Sequence, residues 1–242
     1  MPPARSPLTF NVGAPVRRAS RLWWGFAPFA AFSVLHAAIL LAGGGPLAQP
    51  TKLLLMPALA VAVLWGLPRA SRHPLRGGPG LLLSAILFSW LGDGAGTFFP
   101  FAPTLPLMLA FFGVAHLCYM RLFWRRLALR RIPWWAIIYA AWWVGLLLFM
   151  WPRTGPLAPA VAAYGLVLAG TAALSTRCNP FIVWGAALFL ASDTILSFTL
   201  FAPELMPAYS GAAVMASYTA GQGLIAAGSL AHLAGTRRRT SP

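Results

Sequence analysis

Residues 87–105 read LFSWLGDGAGTFFPFAPTL. The run is apolar enough to cross a bilayer until Asp93, where an acid stands alone in a chain of 242 residues holding only 3 Asp and Glu. An ionised side chain at the centre of a membrane costs at least ~2.5–3.5 kcal/mol, so an acid kept there marks a functional position. The stretch also has an echo. DGAGTFFPFAPTL (93–105) aligns at an offset of 100 with DTILSFTLFAPEL (193–205). Asp, Phe, Phe-Ala-Pro and Leu recur, Thr97 faces Ser197, and the two aspartates fall in register.

Working outward, the whole chain is 59% hydrophobic and 9% charged. A soluble domain carries about a quarter charged residues, so the composition implies an all-α, polytopic integral membrane protein. Eight runs approach the ~20 residues a span needs: 22–42, 52–67, 80–99, 104–122, 133–151, 156–174, 180–201 and 210–233. The second is short, so seven spans stay open as an alternative. Gly/Pro punctuation such as RHPLRGGPG and RCNP separates the runs. The expected organisation is a flexible basic tail (1–21), one transmembrane domain (22–233) and a basic C-terminal tail (234–242). The aspartates lie on spans three and seven, so the repeat is parallel, 4+4.

Charge orients the array. With eight spans, the tail and the arginine-bearing segments all share one side: Arg5, Arg17, Arg18, Arg21; Arg69, Arg72, Arg76; Arg121, Arg125, Arg126, Arg130, Arg131; Arg177; and Arg237 to Arg239. Lys52 and Arg153 alone fall opposite. By the positive-inside rule both termini are cytoplasmic, and the Ala/Pro/Arg-rich composition fits a bacterial inner membrane. The basic excess is accounted for by membrane lipids, without nucleic acid as a partner.

Asp93 and Asp193 are each 13 residues past the start of their spans, Gly80 and Pro180. At 1.5 Å per residue both lie ~20 Å from the cytoplasmic end. Two close carboxyls in a low-dielectric pocket divide into one that keeps its proton and one that stays charged, a general acid and a general base. The i+4 hydroxyls Thr97 and Ser197 are expected on the same helix faces. His116 lies mid-span, and Tyr218 and Gln222 share one face of the last span. Lys52, at the outer start of span two, suits either a phosphate contact or snorkelling. His36 is a weaker candidate. His73 and His232 look interfacial, Glu204 solvated, and Cys118 and Cys178 receive no role. The His spacing matches no metal signature, so neither a metal nor another cofactor is expected. No P-loop, GxSxG or HExxH motif occurs. An intramembrane aspartyl protease would need Gly in place of Trp90.

TKLLLMP (51–57), LFSWLGD (87–93), AHLCY (115–119), ALFLASDTIL (187–196) and SYTAGQGLI (217–225) follow one another in the order found in the YhhN-like family. The chain resembles that family, which includes the lysoplasmalogenases of animals, over roughly residues 50 to 230. The family forms are K-P, F-S-x-x-G-D, H-x-x-Y, F-x-x-S-D and Y-x-x-x-Q. Leu53 replaces the proline after Lys52, and Gly94-Ala95-Gly96 replaces a more apolar run. The resemblance implies hydrolysis of the vinyl ether of a lysoplasmalogen, a lysophospholipid, to a fatty aldehyde and a glycerophospho-base. Asp93 and Asp193 would be catalytic, in an order left open. His116, Tyr218 and Gln222 would position water or the ether oxygen, and Lys52 the headgroup phosphate. A small-molecule or proton-coupled transporter using the same acids is the alternative. For the topology, a reporter active only in the cytoplasm is expected to be active when fused to either terminus.

Overall fold

The computed structural model describes residues 14–67 and 77–240, with side chains described for 23–67 and 77–233. Arg5, Arg69, Arg72, His73 and Arg76 lie outside the described residues, as do the side chains of Arg17, Arg18, Arg21 and Arg237 to Arg239. The described chain is all helical. Its helices are α1 (Ala14–Leu41), α2 (Ala48–Gly66), α3 (Gly78–Asp93), the single turn α4 (Ala95–Phe98), α5 (Thr104–Leu122), α6 (Ile138–Thr154), α7 (Ala158–Ser175), α8 (Pro180–Phe201) and α9 (Ser210–Thr240). Trp23–Leu41, Ala48–Gly66, Thr104–Leu127, Trp134–Ser175 and Pro180–Phe201 are long and apolar enough to cross a membrane. The fourth of these, 42 residues long, comprises α6 and α7, and Gly78–Asp93 is apolar but shorter. Large apolar side chains also face outward, among them Trp24, Val34, Val61 and Leu148. On a protein in water such a surface invites association, whereas in lipid it is the solvated face.

Local chemistry sets several ends. In RCNP, Asn179 caps α8 by accepting from the Ile182 N–H at 3.3 Å, with Pro180 at the first helical position where no donor is needed. The third expected span, 80–99, is not one helix. It stops at Asp93, and Gly94 lets Phe98 fold back against Trp90, ring centroids 4.7 Å apart. A Cβ on Gly94 would lie 2.2 Å from the Phe98 ring. Thr97 therefore does not share a helix face with Asp93, whereas α8 runs unbroken through Asp193 and Ser197. At the other extremes, α1 begins at Ala14 and α9 reaches Thr240, beyond the limits expected of the first and last spans.

Sequential pairs pack in the same way in both halves: α1 on α2 and α6 on α7, α2 on α3 and α7 on α8, α3 on α5 and α8 on α9. The most extensive contact is α8 with α9, and small residues make it possible. A Cβ on Gly221 would sit 2.8 Å from the Gly185 carbonyl oxygen, and one on Gly185 equally close to that of Gly221. The ends of α1, α3 and α8 and the starts of α2, α5 and α9 gather at one end of the bundle. At the opposite end the α5–α6 and α7–α8 loops clasp each other. Leu129 N–H donates to the Arg177 carbonyl at 2.7 Å, and Arg130 Nε to the Thr176 carbonyl at 2.7 Å.

Gly221→Val must push two backbones apart, a cost of roughly 1–3 kcal/mol or more. Gly113→Ala enters open space and gains helix propensity, about 0.5–1 kcal/mol. Thermal shift in detergent is expected to show a lowered Tm for the first and an unchanged or raised Tm for the second.

Candidate functional site

The five motifs converge. Asp93 is the last residue of α3, and its carboxyl is shared between two other helices. Lys52 Nζ of α2 lies 3.3 Å from Oδ1, and the Tyr218 hydroxyl of α9 donates to Oδ2 at 2.8 Å. Leaving such a carboxylate buried and unpaired costs several kcal/mol, so the cation is what permits it there. Lys52 is thus the counter-ion of Asp93. Asp193, in the middle of α8, accepts on Oδ2 from the Tyr164 hydroxyl of α7. Both acids are buried, 7% and 8% exposed, and both line a single cavity of about 280 Å³.

The cavity extends from the acids toward the end of the bundle formed by Phe201, Gly211 and Leu105. Its walls are mostly apolar, with Met108, Leu109 and Phe112 from α5, Leu196 and Leu200 from α8, and Val214 and Met215 from α9. A few convergent polar groups in an apolar cleft are the usual make-up of a small-molecule site. The volume is near the lower limit for such sites.

A proline in α2 positions Lys52. In a helix the Leu53 carbonyl accepts from the residue four places on, but that residue is Pro57, which has no N–H. The Trp90 indole N–H takes the free carbonyl at 2.9 Å and joins α3 to α2 beside Lys52. Asp93 follows Trp90 by one turn, so this bond sets the register of the ion pair.

Behind the cavity is a second polar layer. Gln222, fully buried, donates to Ser89 Oγ at 3.0 Å and accepts from the Tyr119 hydroxyl at 2.5 Å. It joins α3, α5 and α9 and does not reach the cavity wall. Tyr218 and Gln222, four residues apart on α9, thus engage Asp93 and Ser89, four apart on α3. Gly92 clears space for the Phe112 ring, which a Cβ would meet at 2.6 Å. His116 also stands behind the wall, edge-on to Phe189 with centroids 4.6 Å apart, and neither ring nitrogen has a partner in the described residues.

The remaining candidates divide. Ser197 lines the cavity but donates to the Asp193 carbonyl at 2.8 Å. Thr97 is off the wall and accepts from Gln49 Nε2 at 2.9 Å, holding Gln49 at the mouth. His36 is on the wall. Because the Thr51 hydroxyl donates to the Leu47 carbonyl at 2.6 Å, His36 Nδ1 must donate to Thr51 Oγ1, 2.9 Å away. Among the described residues no three His, Cys, Asp or Glu side chains stand together as a metal group. Burial pushes the thiol of Cys178, in the α7–α8 loop, up to about 12, so it stays protonated. Tyr164 was not singled out in sequence, and Trp90 was named there only for the protease motif it breaks. A lone tyrosine in the apolar run AVAAYGLVL is the available signal, since a buried phenol needs a partner.

The model of the YhhN family matches residues 46–229. No curated protein and no solved structure matches the chain.

Removing the Trp90 donor by Trp90→Phe leaves the Leu53 carbonyl unsatisfied, at a cost of roughly 1–3 kcal/mol. In a Pro57→Ala background the helix supplies its own N–H. The same substitution is then expected to cost clearly less, read as a non-additive Tm change in a double-mutant cycle.

Proposed function

The chain belongs to the YhhN family, and we propose that it is a membrane-embedded hydrolase of lysoplasmalogens. It cleaves the vinyl ether of this lysophospholipid to a fatty aldehyde and a glycerophospho-base. The observation that carries the reading is the pair of buried carboxyls, Asp93 and Asp193, lining one mostly apolar cavity. The proposed setting is the bacterial inner membrane with both termini cytoplasmic, which gives a lipid substrate lateral access.

The chemistry suits the groups present. A vinyl ether is hydrolysed by protonation of its β-carbon, which leaves an oxocarbenium ion at the carbon bonded to oxygen. One carboxyl supplies the proton. The other, as carboxylate, stabilises the cation and receives a proton from the attacking water. The hemiacetal then collapses to aldehyde and alcohol. Paired carboxylates handle an oxocarbenium ion in a related way in glycosidases. The apolar wall of α5, α8 and α9 accommodates the alkenyl chain. Tyr218 holds Asp93, and Lys52 balances its charge. The headgroup phosphate is assigned to the end of the cavity where Gln49 lies. His116 and Gln222 act through packing and through Tyr119 and Ser89, behind the reacting atoms.

Purified wild type is expected to release aldehyde from a lysoplasmenylethanolamine in detergent. Asp93→Asn and Asp193→Asn, shown folded by thermal shift, are expected to lose at least ~100-fold in rate, the lower end of an acid–base contribution. A silent wild type across alkenyl and acyl lysolipids, together with flux of a solute or protons in vesicles, would establish a carrier instead.

A further inference from the structure

The two aspartates are not equivalent. Asp93 has a cation 3.3 Å from one oxygen and a phenol donating to the other. Each interaction favours the charged carboxylate. Asp193 has no cation partner among the described residues, and its only hydrogen-bond donor is Tyr164, on Oδ2. Two ionised carboxyls against one lysine would leave a net negative charge in an apolar cavity, which burial opposes unless a proton neutralises it. That proton falls to the acid without a counter-ion.

Resting on the hydrolase reading above, we infer that Asp193 is the proton donor, that Asp93 paired with Lys52 is the ionised base, and that Tyr164 is the positioning residue of the acid. The Tyr164 hydrogen occupies Oδ2, so the acidic hydrogen of Asp193 sits on Oδ1. That oxygen makes no hydrogen bond to the described protein and belongs to a side chain on the cavity wall. The neighbouring hydroxyls do not compete. Ser192 donates to the Val214 carbonyl at 3.0 Å, and Ser197 to the Asp193 carbonyl at 2.8 Å. The other titratable groups that share its cavity are Asp93, Lys52, His36 and Tyr218, while His116 of α5 stands behind the wall. The His116 ring lies edge-on to Tyr164, centroids 5.9 Å apart.

The cycle balances. The alkene π pair takes the Asp193 proton to form the new C–H bond, leaving Asp193 a carboxylate and the substrate an oxocarbenium ion. Water adds to that carbon and gives its proton to Asp93. Collapse of the hemiacetal breaks the bond to the glycerol oxygen, which leaves with the Asp93 proton, while the hemiacetal hydroxyl proton returns to Asp193. Vinyl ether and water become aldehyde and alcohol, and both acids end as they began.

With 3 acidic side chains in the chain, Glu204→Gln leaves Asp93 and Asp193 as the only two, and infrared spectroscopy in detergent reads them directly. A protonated-carboxyl C=O band is expected in this background. It should persist when Asp93→Asn is combined with Lys52→Met, which removes the ion pair whole, vanish in Asp193→Asn and reappear at a shifted position in Asp193→Glu. Tyr164→Phe should move the band to higher frequency and lower kcat more than KM. A band kept in Asp193→Asn, or lost when the Asp93–Lys52 pair is removed whole, overturns the assignment, as does no band at all. Aldehyde release is scored separately. Release with the band on Asp93 overturns the assignment and leaves the hydrolase standing. A band on Asp193 without release does the reverse.

Discussion

A carboxylate cannot stay charged in an apolar interior unless a cation is brought to it, and at Asp93 that cation is Lys52. Much of the site follows from this pairing. The lysine is on α2 and the acid at the end of α3, so the two helices must be held in one register. Pro57 removes the backbone donor that would otherwise satisfy Leu53, and Trp90 takes the freed carbonyl. The clip lies one residue from Lys52 along α2 and one turn from Asp93 along α3. Gly94 then ends α3 where the acid must face the cavity, and the Phe98 ring folds back into the space a side chain would fill.

The internal repeat brings two aspartates to one cavity, but the halves have diverged where it matters. Asp93 ends a helix and has a lysine; Asp193 sits within a continuous helix and has a tyrosine. Strict two-fold symmetry would make two identical carboxyls. The proposed acid–base chemistry needs two different ones, and Gly94, which ends α3 directly after Asp93, supplies part of the difference.

The polar layer behind the wall has a different task. Ser89, Tyr119 and Gln222 satisfy one another across three helices, so the amide is not left bare in a low-dielectric interior. The same helix faces present Asp93 and Tyr218 one turn further on. Rigid packing at Gly185 and Gly221 fixes α9 against α8, which sets Tyr218 relative to Asp193 without a bond between them.

Read alone, the sequence determined the helical membrane class, most of the helix positions and the presence of two acids inside apolar runs. Hydropathy, punctuation and the cost of an intramembrane charge act locally and leave marks in composition. The repeat at an offset of 100 put both acids in register for the same reason. Partner choice was decided only by the tertiary structure. Lys52 as counter-ion, Tyr164 on Asp193, Trp90 on Leu53 and the retreat of His116 and Gln222 behind the wall all join residues far apart in the chain. Spacing along one helix cannot state which neighbouring helix arrives, or at what height. The break after Asp93 is intermediate: its glycines were visible, but that a ring would fold onto Gly94 depended on the packing around it.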